Sequence, residues 1–385
     1  MNFKINNESV SKLAIVSALA KKSEEATVKL AADEDKVSVS IFLDAETMLE
    51  TSVAATVTES GECVLKAFRL KNALRQYKDG KITTITTKGG FCRVIPDGDE
   101  TPRVEIALIS SPFNKLSFDE TDCFVNISLS GEKTLALLSD VKTSYTRSFD
   151  NAMPVMSLTR LKVSNGELAA ESVDLGRFTK AILPLDEKKE RSVSLNITND
   201  LAKKVVDIIR AFHLSDADVV LKSSIKTNRV IVGDVVLTGK KVILSDNDLI
   251  TSQQDIYDGK NKKFHCVVNA DEIKNFCFAT TIISDEQGDV TSRTPVNIAY
   301  NGEMLNLKYV TIDGNVYRNV PIKVVRDELH SFNISVILKA LYQSITRFNG
   351  EINVFVDGKS LLLMSGSKDV AETEMKQFQL LSLVR

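Results

Sequence analysis

The alternation of apolar and polar residues along this chain predicts one short structural unit, which then recurs. Residues 193–197 alternate between apolar and polar side chains, which is the two-residue period of a half-buried strand. The period then becomes that of a helix with one buried face. The apolar stripe of this helix consists of Leu201, Val205, Ile208, Ile209 and Phe212. The opposite face is charged, so the unit is a strand followed by an amphipathic helix.

Six such units occur along the 385 residues. They begin near residues 1, 61, 123, 192, 263 and 330, and strand-like sequence follows each predicted helix. A repeat of 60 to 70 residues must be considered before any single motif. Pro112 and the mixed segment after it favour a boundary near residue 120, and a polar run favours another near residue 260. We therefore predict an α+β fold of three similar domains, each a doubled strand–helix–strands unit, over residues 1–120, 121–260 and 261–385.

Composition limits the class of protein. Hydrophobic residues make up 43% of the chain, and no apolar run is long enough to span a membrane. The opening residues lack the apolar region of a secretory signal, so we expect a cytoplasmic protein without membrane contact. The five cysteines are widely spaced without a CxxC pair. This spacing favours buried reduced thiols over disulfides or a zinc site.

Signals of catalysis are weak. The segment 233–241 resembles a phosphate-binding loop, but its glycine spacing is wrong and its alternation predicts a strand. The three histidines, His213, His265 and His330, lie in different predicted domains and not at the spacing of metal ligands. We expect no enzymatic activity, no cofactor and no metal. An enzyme with an unrecognised site remains the alternative.

Basic residues concentrate on the predicted helices. The six helical windows carry 17 basic and 7 acidic residues, whereas the whole chain has a net charge of −2. Such segregation favours contact with DNA phosphates, which supply affinity independent of sequence. The alternative is that lysine and arginine simply occupy exposed helix faces. The recurrence of the basic excess in five of the six units favours a shared surface.

Several segments resemble the bacterial DNA sliding clamp, the beta subunit of DNA polymerase III, in their order and number. They are MNFKIN at the start, VSVSIFLDAETMLETSVAATV at 37–57, GELAAESVDLGRFTKA at 166–181, LAKKVVDIIRAF at 201–212 and ADEIKNFCFATTIISDE at 270–286. The resemblance covers the whole chain and implies a divergent member of that family.

The resemblance implies a ring-shaped homodimer that encircles duplex DNA and tethers the replicative polymerase as a processivity factor. In that arrangement the sheets lie outside and the helices line the central hole. The basic residues that would contact DNA without reading its sequence are Lys12, Lys21, Lys22, Arg69, Arg75, Lys78, Lys203, Lys204, Arg210 and Arg347. The residues that would form the seam between subunits are Val104, Ile106, Ile282 and Ile283.

The resemblance also implies a pocket for short linear peptides of the polymerase and the clamp loader. Its expected residues are Leu175, Gly176, Arg177, Phe178, Leu380, Leu381 and Leu383. Here the chain departs from the family, because the family's His, Pro and two Met residues of this pocket are absent. For Leu381 and Leu383 the alternative is that they only fill the core face of the last strand. A clamp-like scaffold that binds peptides without encircling DNA is the second functional hypothesis.

Overall fold

The computed structural model describes most of the chain. The described residues are 1–20, 26–75, 83–96, 104–110, 112–141, 154–174, 177–185, 192–242, 262–284, 295–357 and 361–383. The chain divides into two compact units, Met1–Leu135 with Leu201–Lys241, and Ala136–Asp200 with Val242–Arg385. The division falls inside the predicted middle domain, and the domain boundaries near residues 120 and 260 stay a prediction.

All six predicted helices are present. They are α1 (Asn7–Leu19), α2 (Ala67–Arg75), α3 (Gly131–Val141), α4 (Asn199–Ala211), α5 (Ala270–Ser284) and α6 (Leu338–Ile345). The side chain of Asn6 caps α1 by accepting a hydrogen bond of 2.8 Å from the backbone N–H of Ser9. The predicted stripe of α4 is confirmed from Leu201 to Ile209, where its apolar side chains are buried, while Lys203 is exposed.

The described residues contain 26 strands and one short 3-10 helix, Pro154–Ser157. The strands of the first half of the chain are β1 (Asn2–Ile5), β2 (Thr27–Asp33), β3 (Lys36–Phe42), β4 (Thr47–Ala54), β5 (Thr56–Glu59), β6 (Gly61–Lys66), β7 (Thr83–Lys88), β8 (Phe91–Pro96), β9 (Val104–Ala107), β10 (Val125–Ser130), β11 (Leu158–Ser164), β12 (Glu167–Asp174) and β13 (Arg177–Pro184). Those of the second half are β14 (Val193–Thr198), β15 (Asp218–Ser223), β16 (Thr227–Val232), β17 (Val235–Lys240), β18 (Phe264–Asn269), β19 (Pro295–Tyr300), β20 (Met304–Val310), β21 (Asn315–Pro321), β22 (Lys323–Asp327), β23 (Phe332–Ile337), β24 (Glu351–Val356), β25 (Leu361–Val370) and β26 (Thr373–Ser382).

The six strand–helix–strands units form three consecutive pairs. In each pair, the first strand of one unit hydrogen-bonds to a strand of the other unit. Strand β1 pairs with β7 while β6 pairs with β2; β10 pairs with β15 while β14 pairs with β11; β18 pairs with β24 while β23 pairs with β19. The strand before each helix therefore belongs to the sheet of the other unit in its pair. This recurrence confirms the predicted α+β fold of repeated strand–helix–strands units.

The 26 strands of the described residues pair antiparallel into four sheets. The first unit contains a five-stranded sheet, β5-β1-β7-β8-β9, and an eight-stranded sheet, β10-β15-β16-β17-β4-β3-β2-β6. The second contains a nine-stranded sheet, β14-β11-β12-β13-β26-β25-β24-β18-β22, and a four-stranded sheet, β21-β20-β19-β23. Two pairings, β17 with β4 and β13 with β26, join strands from distant parts of the sequence.

Candidate nucleic-acid interface and partner groove

Three helices of the first unit border an open cavity of about 660 Å³. Helix α1 supplies small and apolar lining, including Ala14 and Ile15, whereas Arg75 of α2 and Arg210 of α4 contribute positive charge. Asp207 of α4 also lines the cavity. Because the lining from α1 is uncharged, the basic character of this surface comes from α2 and α4.

Four of the predicted DNA-contacting side chains are exposed on the helices of the first unit: Arg69, Arg75, Lys203 and Arg210. The guanidinium of Arg69 lies 5.9 Å from the centre of the Phe68 ring. Exposed cations on adjacent helices can contact phosphates without reading bases. Lys21, Lys22 and Lys78 lie outside the described residues.

Lys12 and Lys204 are engaged within the protein. The Lys12 ammonium donates a hydrogen bond of 2.9 Å to the Ser52 carbonyl and forms an ion pair with Asp234. The Lys204 ammonium donates to the carbonyl of Leu19, the last residue of α1. A cation at a helix C-terminus satisfies a free carbonyl and interacts favourably with the helix dipole. The sequence assigned both lysines to DNA, and in the structure each of them makes these contacts within the protein.

In the second unit, Arg347 lies near a buried carboxylate. Asp140 is only 1% exposed, and it accepts a hydrogen bond from Gln377. The Lys368 ammonium is 3.7 Å from Asp140 Oδ1, and the charge of Arg347 also acts on this carboxylate. Burial raises the pKa of Asp140, although these two cations oppose the shift. Half-buried Arg347 is therefore less accessible than the exposed cations of the first unit.

The predicted pocket segments lie side by side in the nine-stranded sheet. Arg177 pairs with Leu381, and Phe178 pairs with Leu380. Directly opposite residues share a face of the sheet, and successive residues alternate between faces. The two pairs therefore point to opposite faces. Leu175 and Gly176 lie outside the described residues.

Phe178 and Leu380 belong to an apolar cluster, here called the outer cluster. Its buried members are Val155, Met156, Val173, Phe178, Leu363 and Leu380, and the partly buried Phe355 and Phe378 pack against them. Phe178 is 1% exposed, so the cluster is closed. The sequence prediction missed Phe355, Leu363 and Phe378, although the alternation in β24, β25 and β26 carries them to one face.

Leu381 and Arg177 lie on the other face, contrary to the expectation of one common pocket. Leu381 is fully buried in the core formed with α5 and α6, and Leu383 packs against the same core. Arg177 is 7% exposed and donates a hydrogen bond to Gln343 of α6. The alternative that these leucines fill the core is the one that the packing supports, because strand alternation separates them from Phe178. Arg177 does not lie at the rim of the outer cluster.

The row of side chains that contains Phe355 of the outer cluster continues from β24 onto β18, where polar and aromatic residues follow. Phe355 pairs with Leu363 on one side and with His265 on the other. The His265 ring stacks on Phe355 with centroids 4.2 Å apart, and its Nε2 lies 2.9 Å from the Asn353 side-chain oxygen. The Lys262 ammonium lies 4.4 Å from the centre of the Phe355 ring. The Phe355 ring therefore has the cation of the buried Lys262 beside it.

The predicted seam residues differ in exposure. Strands β9 and β21 are the outermost strands of their sheets. Ile282 of α5 is 74% exposed, whereas Ile283 packs beside Gly314. Val104 is partly buried, and Ile106 is only 2% exposed within its own unit. The same unit also carries exposed apolar side chains that the sequence prediction missed: Phe278, Val310, Ile312 and Tyr317.

Within the described part of the chain, no three His, Cys, Asp or Glu side chains cluster as metal ligands would. No helix of the same residues is both long and apolar enough to cross a membrane.

No protein-family model and no curated protein sequence matches the chain. Solved structures do match along its full length. A candidate DNA polymerase III beta subunit from Eubacterium rectale has a TM-score of 0.83 at 15% identity, with 100% of both chains covered. The DNA polymerase III beta subunit from Pseudomonas aeruginosa has a TM-score of 0.81 at 15% identity, with 100% of both chains covered. The DNA polymerase sliding clamp from Bacillus subtilis has a TM-score of 0.81 at 15% identity and covers 100% of this chain and 99% of its own. The chain has the fold of these clamps, and the resemblance in its sequence is confirmed at that level.

Proposed function

We propose that this chain is a DNA sliding clamp: a homodimeric ring that encircles duplex DNA and tethers the replicative polymerase. The observation that carries the proposal is full-length similarity to sliding clamps at a TM-score near 0.8. A fold alone does not fix a function. The distribution of charge, the edge strands and the outer cluster therefore supply the rest of the argument. We propose a cytoplasmic protein that acts without catalysis, cofactor or metal.

The exposed cations on α2 and α4 are the proposed DNA contacts. Arg69, Arg75, Lys203 and Arg210 extend from helices whose other faces are buried. Contacts of this kind neutralise phosphates and release counterions, so they bind any sequence and weaken as salt rises. Such binding suits a ring that must slide along DNA.

Ring closure is proposed to join β9 of one protomer to β21 of its partner. An outermost strand has backbone groups available for pairing with another strand. The exposed Ile282 and Ile312 would add apolar contact beside that pairing. In a closed two-fold ring each protomer contributes both surfaces, so the seam occurs twice.

The outer cluster is the proposed site for partner peptides of the polymerase and the clamp loader. Phe355 and Phe378 are its accessible aromatic members, and Phe178, Leu363 and Leu380 form its buried base. A peptide would insert one or two large apolar side chains, as anchors do at protein interfaces. Because the base is closed, we propose that binding moves the two partly buried aromatic rings apart.

The ring is tested by retention on DNA. The protein is placed on a nicked circular plasmid by its own clamp loader and ATP, isolated by gel filtration, and then challenged with a restriction enzyme. Release after linearisation, with retention on the uncut circle, is expected of a ring. Equal retention on cut and uncut plasmid would contradict encirclement. A protein that remains monomeric and binds its polymerase would instead favour the scaffold that does not encircle DNA.

The proposed peptide site is tested by substituting the partly buried aromatic residues of the outer cluster. Phe355→Ala with Phe378→Ala is expected to reduce the affinity for the peptide of the cognate polymerase at least tenfold, measured by calorimetric titration. Phe332→Ala is the matched control, because Phe332 is also partly buried but packs against the other core. Unchanged affinity in the double variant, or an equal loss in the control, would exclude the outer cluster as the site.

A further inference from the structure

The same triplet, Asn-Gly-Glu, occurs at three places in the chain. The copies are residues 165–167, 301–303 and 349–351. In an Asn-Gly dipeptide no side chain shields the glycine nitrogen, so this nitrogen can attack the side-chain carbonyl carbon of the asparagine. The local sequence is the same in all three copies. Any difference in their reactivity in the folded protein therefore comes from the fold.

The first triplet is held in a tight turn. Ser164 pairs with Glu167 where β11 meets β12, so only Asn165 and Gly166 form the turn. Their φ angles of 54° and 77° are both in the left-handed region, as a two-residue hairpin turn requires. The carbonyl of Gly166 also accepts a hydrogen bond of 2.7 Å from the N–H of Leu185. Rotation of the Asn165 backbone toward the attacking nitrogen would disrupt the pairing of β11 with β12.

The third triplet is held against α5. The side-chain oxygen of Asn349 accepts a hydrogen bond of 3.0 Å from the Lys274 ammonium. The carbonyl of Gly350 accepts a hydrogen bond of 2.8 Å from the N–H of Ala270, the first residue of α5. These contacts fix both the side chain and the glycine that would have to approach each other. The attack requires at least one of them to open.

The second triplet lies in a wider and more open turn. The pairing of β19 with β20 ends at Tyr300 and Leu305, so residues 301–304 connect the two strands. Asn301 and Gly302 are both exposed. Among the described residues, no backbone hydrogen bond outside the helices and strands involves either of them. Gly302 has a φ of 102°, and no atom of the described residues lies within 4 Å of the position that a Cβ would take there. The backbone of this turn can therefore rotate without displacing a neighbour.

We propose that Asn301 is a modification site at which the folded protein undergoes deamidation. The Gly302 nitrogen attacks the side-chain carbonyl carbon of Asn301, and a new C–N bond closes a five-membered succinimide. The bond to the side-chain amide nitrogen breaks, and this nitrogen leaves as ammonia with the proton of the Gly302 N–H. Water then opens the succinimide at either carbonyl and gives aspartate or isoaspartate. Water is the only co-reactant, and no electron is transferred.

Both products change the charge of this turn. Each places a new carboxylate next to Glu303, and isoaspartate also adds one methylene to the backbone. The modification goes beyond the proposed function and does not depend on it.

The experiment incubates the folded full-length protein in a mildly alkaline buffer, with a parallel sample in denaturant. Tryptic peptides 163–177, 294–308 and 348–359 contain the three triplets, and mass spectrometry follows the gain of about one dalton at each asparagine. In the folded protein Asn301 should react at least about fivefold faster than Asn165 and Asn349, because their restraints must open first. In denaturant the three rates should become similar, since the triplets are identical.

A variant identifies the modified residue in the intact protein. Deamidation adds one negative charge, so anion-exchange chromatography separates the product as an acidic form. In Asn301→Gln this form should accumulate at least about fivefold more slowly than in the wild type, because the longer side chain would have to close a less favourable six-membered ring. The proposal is overturned if Asn165 or Asn349 reacts as fast as Asn301 in the folded protein. It is also overturned if the same ranking appears in denaturant, or if Asn301→Gln forms the acidic species at the wild-type rate.

Discussion

Substitution of Ile282 is the sharpest test of the proposed seam. In the isolated protomer this side chain is 74% exposed, which leaves most of its surface for contact with a partner. Ile282→Asp replaces that apolar surface with a charge. If the seam forms as proposed, the charge is buried without a partner in each of the two seams of the ring. We expect the variant to be a folded monomer at concentrations where the wild type is a dimer.

The expected size of the effect follows from the exposed area. Complete burial of an isoleucine side chain contributes about 1.5–3 kcal/mol, so covering roughly three quarters of it contributes about 1–2 kcal/mol. Two seams double the loss to about 2–4 kcal/mol, which raises the dimer Kd roughly 30- to 700-fold at about 1.4 kcal/mol per tenfold. The unpaired carboxylate adds to this loss, so the lower figure is a minimum.

Sedimentation equilibrium across a wide concentration range gives the Kd directly. Val325→Asp is the matched control: Val325 is 56% exposed and lies on β22 at the edge of the nine-stranded sheet, whereas the proposed seam uses the edge of the four-stranded sheet. The control variant should leave the dimer Kd within about threefold of the wild-type value. A threefold change corresponds to about 0.6 kcal/mol, which is close to thermal energy. Equal Kd values for Ile282→Asp and the wild type, with both proteins folded by circular dichroism, would refute the assignment of Ile282 to the seam.

Two further predictions concern charge. The affinity for a labelled duplex, measured by fluorescence anisotropy, should fall as salt rises, and log affinity against log salt gives a slope. The double variant Lys203→Gln with Arg210→Gln should make this slope shallower by about 1.8, because each lost phosphate contact removes about 0.9. Lys12→Gln should change the slope far less, because Lys12 is paired with Asp234. An equal change of slope in Lys12→Gln and in the double variant would contradict the assignment of the exposed cations to DNA contact. Since burial raises the folded-state pKa of Asp140, its contribution to stability is full below the unfolded pKa of about 3.9 and is lost as pH rises through the folded pKa. Asp140→Asn should therefore keep the wild-type Tm or raise it at pH 8, and a clear fall in Tm would show that the ionised form is the stabilising one.

The sequence by itself determined the elements and their order. Alternation within β14 and the stripe on α4 predict a strand and a helix because both signals lie within about 20 neighbouring residues. The sixfold recurrence of this unit, together with its order, was enough to predict the α+β fold that the solved clamps share. Exposed cations such as Lys203 could also be predicted, because the same stripe defines the opposite face of the helix.

Tertiary structure decided which distant residues meet. Lys12 and Asp234 are 222 positions apart, and no local period connects them, although their pairing removes Lys12 from the exposed cations. Leu381 is the clearest case, because its register against Arg177 decides the face on which it lies. A shift of one residue in that pairing would exchange the faces, and register is fixed by packing over the whole sheet rather than by the residues themselves.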